Sequence, residues 1–244
     1  MDLNADLGEG FGQWELTDDD ALLEIVTSAN VACGFHAGDP VRLRRVLESA
    51  AARGVVVGAQ VSYRDLAGFG RRFIDVQPDE LEADVLYQVG GLRGVAVDAD
   101  QVRYIKPHGA LYHACSTHLA QGQAVKAAAA QAGLPILAGA STKFLLSVVG
   151  GFGIAEGFVD RAYNDDGTLV DRRETGAVLT DHARVVDQAV QLAVDGSVTT
   201  INGKRLELRV DSLCVHGDTP GAAALAQRVR DALTDAGVAL APFA

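Results

Sequence analysis

From residue 2 to residue 237 the chain alternates runs of strand length with helical patterns, and this rhythm constrains the fold more than any other feature. The strand-like runs are DLNADL (2–7), SANVACGF (28–35), VVVGAQVS (55–62), VRYIKPHG (102–109), LPILAG (134–139), AEGFVDRAY (155–163) and SLCVHGD (212–218). Helical segments follow them with recognisable start and stop residues. Thr17 is placed to cap DDDALLEIV. Asp39 caps, and Pro40 opens, VRLRRVLESAAAR, which Gly54 closes. Pro78 opens DELEADVLYQV, an alanine-rich helix runs from about Leu119 to Ala132 with Gly133 as its stop, another spans roughly 181–194, and Pro220 starts the last, closed by Gly237. Two hairpin-like inserts interrupt the rhythm, YNDDGTLV and TTINGKRLEL, the second around an Asn-Gly turn. No linker, low-complexity tract or repeat divides the chain. Repeated β-α units over 244 residues, 48% of them hydrophobic, predict one α/β domain over residues 1–244, a TIM-barrel-like parallel (β/α) barrel carrying hairpin inserts. An open doubly wound sheet is the alternative. It would carry a glycine-rich fingerprint running straight into a helix after the first strand, and DLGEGFGQW has the glycines without the helix.

A formal net charge of −11 argues against a nucleic-acid or anionic-membrane partner. No apolar run is long enough to span a bilayer, and MDLNADLGEG has no basic segment followed by an apolar one. Three cysteines without metal-type spacing predict reduced thiols, so a cytoplasmic protein is expected. Cys33, Cys115 and Cys214 read as small buried hydrophobes, and Tyr63, Phe69 and Tyr112 as packing or lid residues.

The chemistry is carried by parity. Alternate residues of a strand share a face, and in a parallel barrel both faces are covered, so polar residues there are costly unless paired or used. The first run puts Asn4 and Asp6 on one face. The second gives Asn30 and leads to His36, set between Gly34 and Gly38 on a strand-to-helix loop. The third gives Gln60 and Ser62, the fourth Lys106 and His108, the sixth Glu156 and Asp160, and the seventh His216 with Asp218 just beyond. Nearly all fall at the C-terminal ends of their strands, where barrel enzymes build active sites. In GFGRR, Arg71 and Arg72 have the chemistry to grip a carboxylate or phosphate, and Arg161 adjoins Asp160 in a segment headed for the core.

The blocks DLNADLGEGFG, SANVACGFHAGDP, DLAGFGRR, KPHGALYH, FVDRAY and CVHGDTP resemble, in order and spacing, the LamB/YcsF family. The resemblance covers nearly the whole chain. It implies a seven-stranded (β/α) barrel of the glycoside hydrolase/deacetylase type. It also implies the role of the A subunit in an ATP-dependent 5-oxoprolinase, which opens 5-oxoproline to glutamate with two further subunits, B and C. ATP, with Mg as its counter-ion, is the expected cofactor, and no tightly bound metal is expected. A five-membered lactam is an unreactive amide, and phosphorylation of its oxygen would let water attack. The site then needs a base, an anion grip and donors for developing negative charge. In this reading His108 or His216 is the base, oriented by Asp6 or Asp218, while Lys106 and Arg161 stabilise phosphate or oxyanion charge. Asn4, Glu9, Asn30, His36, Gln60, Arg71, Arg72, Glu156, Arg161 and Asp218 bind substrate or phosphate.

The chain departs from the family pattern at Gln60-Val61, where many members carry His-Pro, and at Val159, where FADR is usual. Two other functions fit the same residues. One is a metal-dependent deacetylase or carbohydrate hydrolase, with Asp6, His36, His108 and His216 as mixed carboxylate and imidazole ligands. The other is a non-catalytic subunit that delivers substrate to a partner.

Overall fold

The computed structural model describes residues 1–142, 144–216 and 221–244. Seven parallel strands close into a barrel, in the order β1 (Asp2–Leu7), β2 (Ser28–Ala32), β3 (Val56–Val61), β4 (Val102–Pro107), β5 (Ile136–Gly139), β6 (Gly153–Phe158) and β9 (Ser212–Val215), which pairs back to β1. Six of the strands match their runs or are shorter than them, while β6 begins two residues before its run and ends five residues short of it; the described residues trimmed from the C-terminal ends form loops that carry the site. The second insert forms the hairpin β7 (Ser197–Thr199) and β8 (Arg205–Glu207), outside the barrel. The first closes on the Tyr163–Leu169 bridge, with the Asn164 N–H donating to the Thr168 carbonyl at 2.7 Å.

Among the described residues seven α-helices surround the strands: α1 (Asp19–Leu23), α2 (Pro40–Arg53), α3 (Pro78–Val95), α4 (Gly109–Thr117), α5 (Leu119–Ala132), α6 (His182–Val190) and α7 (Ala222–Asp235). In α2 the Asp39 carboxylate accepts from the Val41 and Arg42 N–H groups at 3.1 Å, and Gly54 ends the helix at φ 68°. The cap of α1 is Asp18 rather than Thr17: Asp18 accepts from the Ala21 N–H, whereas the Thr17 hydroxyl donates to Asp19. Helix α4, hidden in the sequence behind the glycine and histidine that open it, begins as soon as β4 ends. The Pro220 helix start lies outside the described residues. Among those residues no helix is long and apolar enough to cross a membrane.

The odd residues of β1, Leu3, Ala5 and Leu7, join the apolar core. Its even residues reach across the barrel, and the interior is polar in tiers. At the lower end Asp2 accepts from Thr27 at 2.5 Å, Ser28 at 2.7 Å and Ser212. Above it Asn4 donates to Ser212 at 2.6 Å and accepts from Asn30 at 2.7 Å, while the Tyr104 hydroxyl donates to Asn30 at 2.6 Å. The Tyr104 ring fills the space that a side chain on Gly58 would need. These buried groups are tolerable because they satisfy one another.

Candidate active site

Above those tiers the barrel axis carries charge. The Lys106 ammonium lies 2.8 Å from Glu156 Oε1, 3.2 Å from Asp6 Oδ1, 3.2 Å from Cys214 Sγ and 3.4 Å from Asn4 Oδ1. All these side chains are buried. Burial disfavours the charged lysine, but Asp6, Cys214 and Glu156 outweigh it and hold the ammonium well above its ordinary pKa. Burial likewise works against the Asp6 carboxylate, and Lys106, His216 and His108 overcome it, so Asp6 lies well below the usual carboxylate range. Cys214 is therefore more than packing: its thiol touches the cation, and burial pushes it well above the ordinary thiol value. Tyr112 also belongs here, donating to Glu156 Oε2 at 3.0 Å.

His36 reaches this end through its glycines. Gly34 and Gly38 take φ of 89° and 85°, the Gly34 N–H donates to the Ala37 carbonyl at 2.8 Å, and the Gly38 N–H donates to the Gly10 carbonyl at 2.9 Å. The loop folds inward and buries the imidazole completely. There it stacks on His108, with ring centroids 4.0 Å apart and planes 14° apart. Glu9 Oε1 stands 3.8 Å from His36 Nε2 and 3.7 Å from His108 Nε2. Burial pushes His36 down to about 4; burial and then the neighbouring His36 hold His108 well below the ordinary imidazole value. Both rings are neutral at neutral pH. Gln60 stands beside His36 and slightly favours its protonated form, without reaching hydrogen-bonding geometry.

The loop after β3 roofs this pair. Phe69, at φ 54°, is a non-glycine residue in left-handed backbone, a conformation that costs about 1–3 kcal/mol. Its ring meets His36 and His108 edge-on at 5.6 and 5.4 Å, and the Arg71 guanidinium lies 5.0 Å over its outer side. A Cβ on Gly70 would collide with Ser62 Oγ and stand 2.9 Å from His108 Nδ1. Only glycine lets this loop sit so low.

His216 lies at the opposite side of the rim, stacked on Phe158 at 5.5 Å, and its Nδ1 meets both Asp160 carboxylate oxygens at 2.8 and 2.9 Å. Its orienting group is thus Asp160 rather than Asp6, whose Oδ1 is engaged by Lys106 and Asn30. Asp218 lies outside the described residues. The arginines divide. Arg71 sits at the mouth, whereas Arg72 is turned to Asp65, with Nε 2.9 Å from its Oδ1. Arg161 donates to the Ala177 and Val170 carbonyls at 3.2 and 2.7 Å, pinning the first insert, so these N–H groups hold the backbone instead of an anion. Of the four residues offered as metal ligands, Asp6 and His216 have other partners. The donors that gather are Glu9, His36 and His108. The sequence reading does not single out Tyr104, takes Tyr112 and Cys214 for packing residues, and puts Asp160 on the polar face without a role. Tyr104 and Cys214 share the inward parity of Lys106 and His216, a signal within reach of the sequence alone.

Residues 1–244 match the family model described as the LamB/YcsF family. The 5-oxoprolinase A subunit of Mycolicibacterium paratuberculosis (strain ATCC BAA-968 / K-10) is 58% identical over 248 residues, covering 100% of this chain and 98% of that protein. The protein of the same name from Streptomyces coelicolor (strain ATCC BAA-471 / A3(2) / M145) is 56% identical over 249 residues, covering 100% of both. The crystal structure of the lactam utilization protein from Thermus thermophilus superposes with a TM-score of 0.93 at 36% identity, covering 99% of each chain. A T48 deacetylase solved with substrate reaches a TM-score of 0.50 at 16% identity, covering 98% of this chain and 86% of that one, a likeness of fold alone. With its seven-stranded barrel and full-length match, this chain belongs to the LamB/YcsF family.

Proposed function

We propose that this chain is the A subunit of an ATP-dependent 5-oxoprolinase, converting 5-oxo-L-proline to L-glutamate coupled to cleavage of ATP to ADP and phosphate. In this reading residues 1–244 act as one barrel domain in the cytoplasm, with subunits B and C as partners and Mg²⁺ as the counter-ion of ATP. The names borne by full-length relatives support the assignment. The observation that carries it is the Lys106 ammonium, buried between Asp6 and Glu156 and flanked by two histidine stations.

An amide carbon becomes attackable when negative charge on its oxygen is neutralised, and a fixed cation in a water-poor site does this well. Lys106 fills that role toward the lactam oxygen or the phosphoryl group placed on it. The neutral His108 accepts the proton of attacking water, since only an unprotonated imidazole is a base. The carboxylate of Asp160 favours the protonated form of His216, which donates to the ring nitrogen as the C–N bond breaks. Arg71, at the mouth, meets the substrate carboxylate.

The test is reconstitution. Purified subunits B and C are assayed for ATP-dependent glutamate formation with and without this chain, and with its Lys106→Met and His108→Ala variants. The expected result is turnover only with the wild-type chain. Equal turnover without it, or with His108→Ala, overturns the catalytic reading, and the latter outcome leaves a substrate-delivering subunit.

A further inference from the structure

The cluster under the Phe69 loop holds more polar atoms than it satisfies. Both ring nitrogens of His36, Nδ1 of His108, Oγ of Ser62 and both amide atoms of Gln60 are buried without a hydrogen-bond partner among the described residues. Leaving so many buried polar groups unmet costs about 1–3 kcal/mol each, and a bound water or ion is one way a native site meets that cost.

The chemistry of the gathered atoms narrows the ligand. His36, His108 and Glu9 each present one donor, and these donors lie within 4.8 Å of one another. At 3.7 and 3.8 Å the carboxylate oxygen is too far from either ring nitrogen for a hydrogen bond. Two ligands each about 2.1 Å from one ion stand no more than about 4.2 Å apart; both Glu9 spacings meet that limit, and the two imidazole donors are held within 4.8 Å. We infer that Glu9, His36 and His108 form a binding site for a divalent transition metal of the zinc, cobalt or manganese class. Two imidazoles and a single carboxylate favour such an ion over calcium or magnesium, which prefer all-oxygen shells. The rings lie stacked, so a shared ion requires each to turn about its χ angles until its donor nitrogen faces that ion. Burial keeps both imidazoles in the neutral form that ligates. Three protein donors leave a coordination position open, as in catalytic rather than structural sites. No spacing pattern in the sequence announces this set, because its members come from three different strand-to-helix junctions.

The inference shares His108 with the 5-oxoprolinase reading, since an ion held by its Nε2 leaves only Nδ1 to take a proton, and it is tested without turnover. The metal-stripped chain is titrated with Zn²⁺ by calorimetry and with Co²⁺ by visible absorption. One equivalent should bind at micromolar metal, with Co²⁺ bands of a low-coordinate nitrogen and oxygen site. Glu9→Gln, nearly isosteric, should weaken binding at least about tenfold, and His36→Asn, checked for native circular dichroism, should do the same. Absence of stoichiometric binding by the wild-type chain overturns the site. So does binding that persists undiminished in both variants, which would place the ion elsewhere.

Discussion

Asp160 holds His216 at two points: its carboxylate meets the ring Nδ1 at 2.8 and 2.9 Å and accepts the His216 backbone N–H at 3.2 Å. Burial opposes the imidazolium, but the carboxylate beside it raises the His216 pKa above its ordinary value; burial opposes the Asp160 carboxylate too, and His216 lowers it overall. The histidine's share of stability is complete below its unfolded value, about 6.5, and is lost as pH rises through the higher folded one. The aspartate's share is present above its unfolded value, about 3.9, and is lost as pH falls through the lower folded one. Wild type should therefore gain most over Asp160→Asn between about pH 4 and pH 6.5. Urea melts across pH, with NMR titration of the imidazole showing a lowered pKa in the variant, check this. A difference in stability that does not vary with pH would contradict it.

Lys106→Met leaves Asp6 and Glu156 facing each other without their shared cation. Removing one member of a buried ion cluster costs about 3–5 kcal/mol, so a large fall in urea midpoint is expected near neutral pH. Acid should narrow the gap to wild type. The Asp6 contribution in wild type is present above its unfolded pKa and is lost as pH falls through the depressed folded value, while in the variant protonation relieves the repulsion.

Gly58→Ala places a methyl group where the Tyr104 ring lies. The ring must shift from the hydroxyl contact it makes to Asn30, and the expected cost is about 1–3 kcal/mol of stability by overpacking. Chemical denaturation measures it. A neutral substitution would show that the second tier of the barrel is looser than its hydrogen bonds imply.

Gln60 faces His36 and supplies a polar surface without a charge. Gln60→His should keep most activity in the reconstituted enzyme, because imidazole also donates and accepts. Gln60→Leu should lower kcat/KM by the equivalent of about 1–3 kcal/mol, the cost of leaving polar groups at this position without a partner once substrate is bound. Kinetics of the two variants, side by side, separate hydrogen-bonding capacity from shape.

Much of the barrel could be read from the sequence because strand parity is local. Asn4, Asp6, Asn30 and Lys106 fall at even positions of alternating runs or at their ends, and the register that joins them, Asp6 beside Asn30 and Gln60 beside Lys106, follows from parallel closure. What the pattern could not tell is which polar group meets which. Asp160 and His216 lie beyond the ends of β6 and β9, where the side-chain period no longer applies, so their pairing depends on how two loops turn. Glu9 likewise sits two residues past β1, and its position opposite His36 and His108 is set by the fold of the β1–α1 loop. Arg161 shows the reverse error, a charged residue near the rim whose N–H groups serve the backbone of a loop.

Strand β1 pairs with β2 on one edge and with β9 on the other, and Asn4 donates to Ser212, 208 residues further along. A ribosome delivers β1 first and β9 almost last, so most of translation passes with one edge of β1 unpaired. Open parallel edges of nascent chains invite aggregation. Asp2, Asn4, Asp6, Ser28 and Asn30, buried in the closed barrel, are polar side chains that water solvates while the barrel is open. The Lys106 cluster reaches its full set of contacts only after Cys214 has emerged.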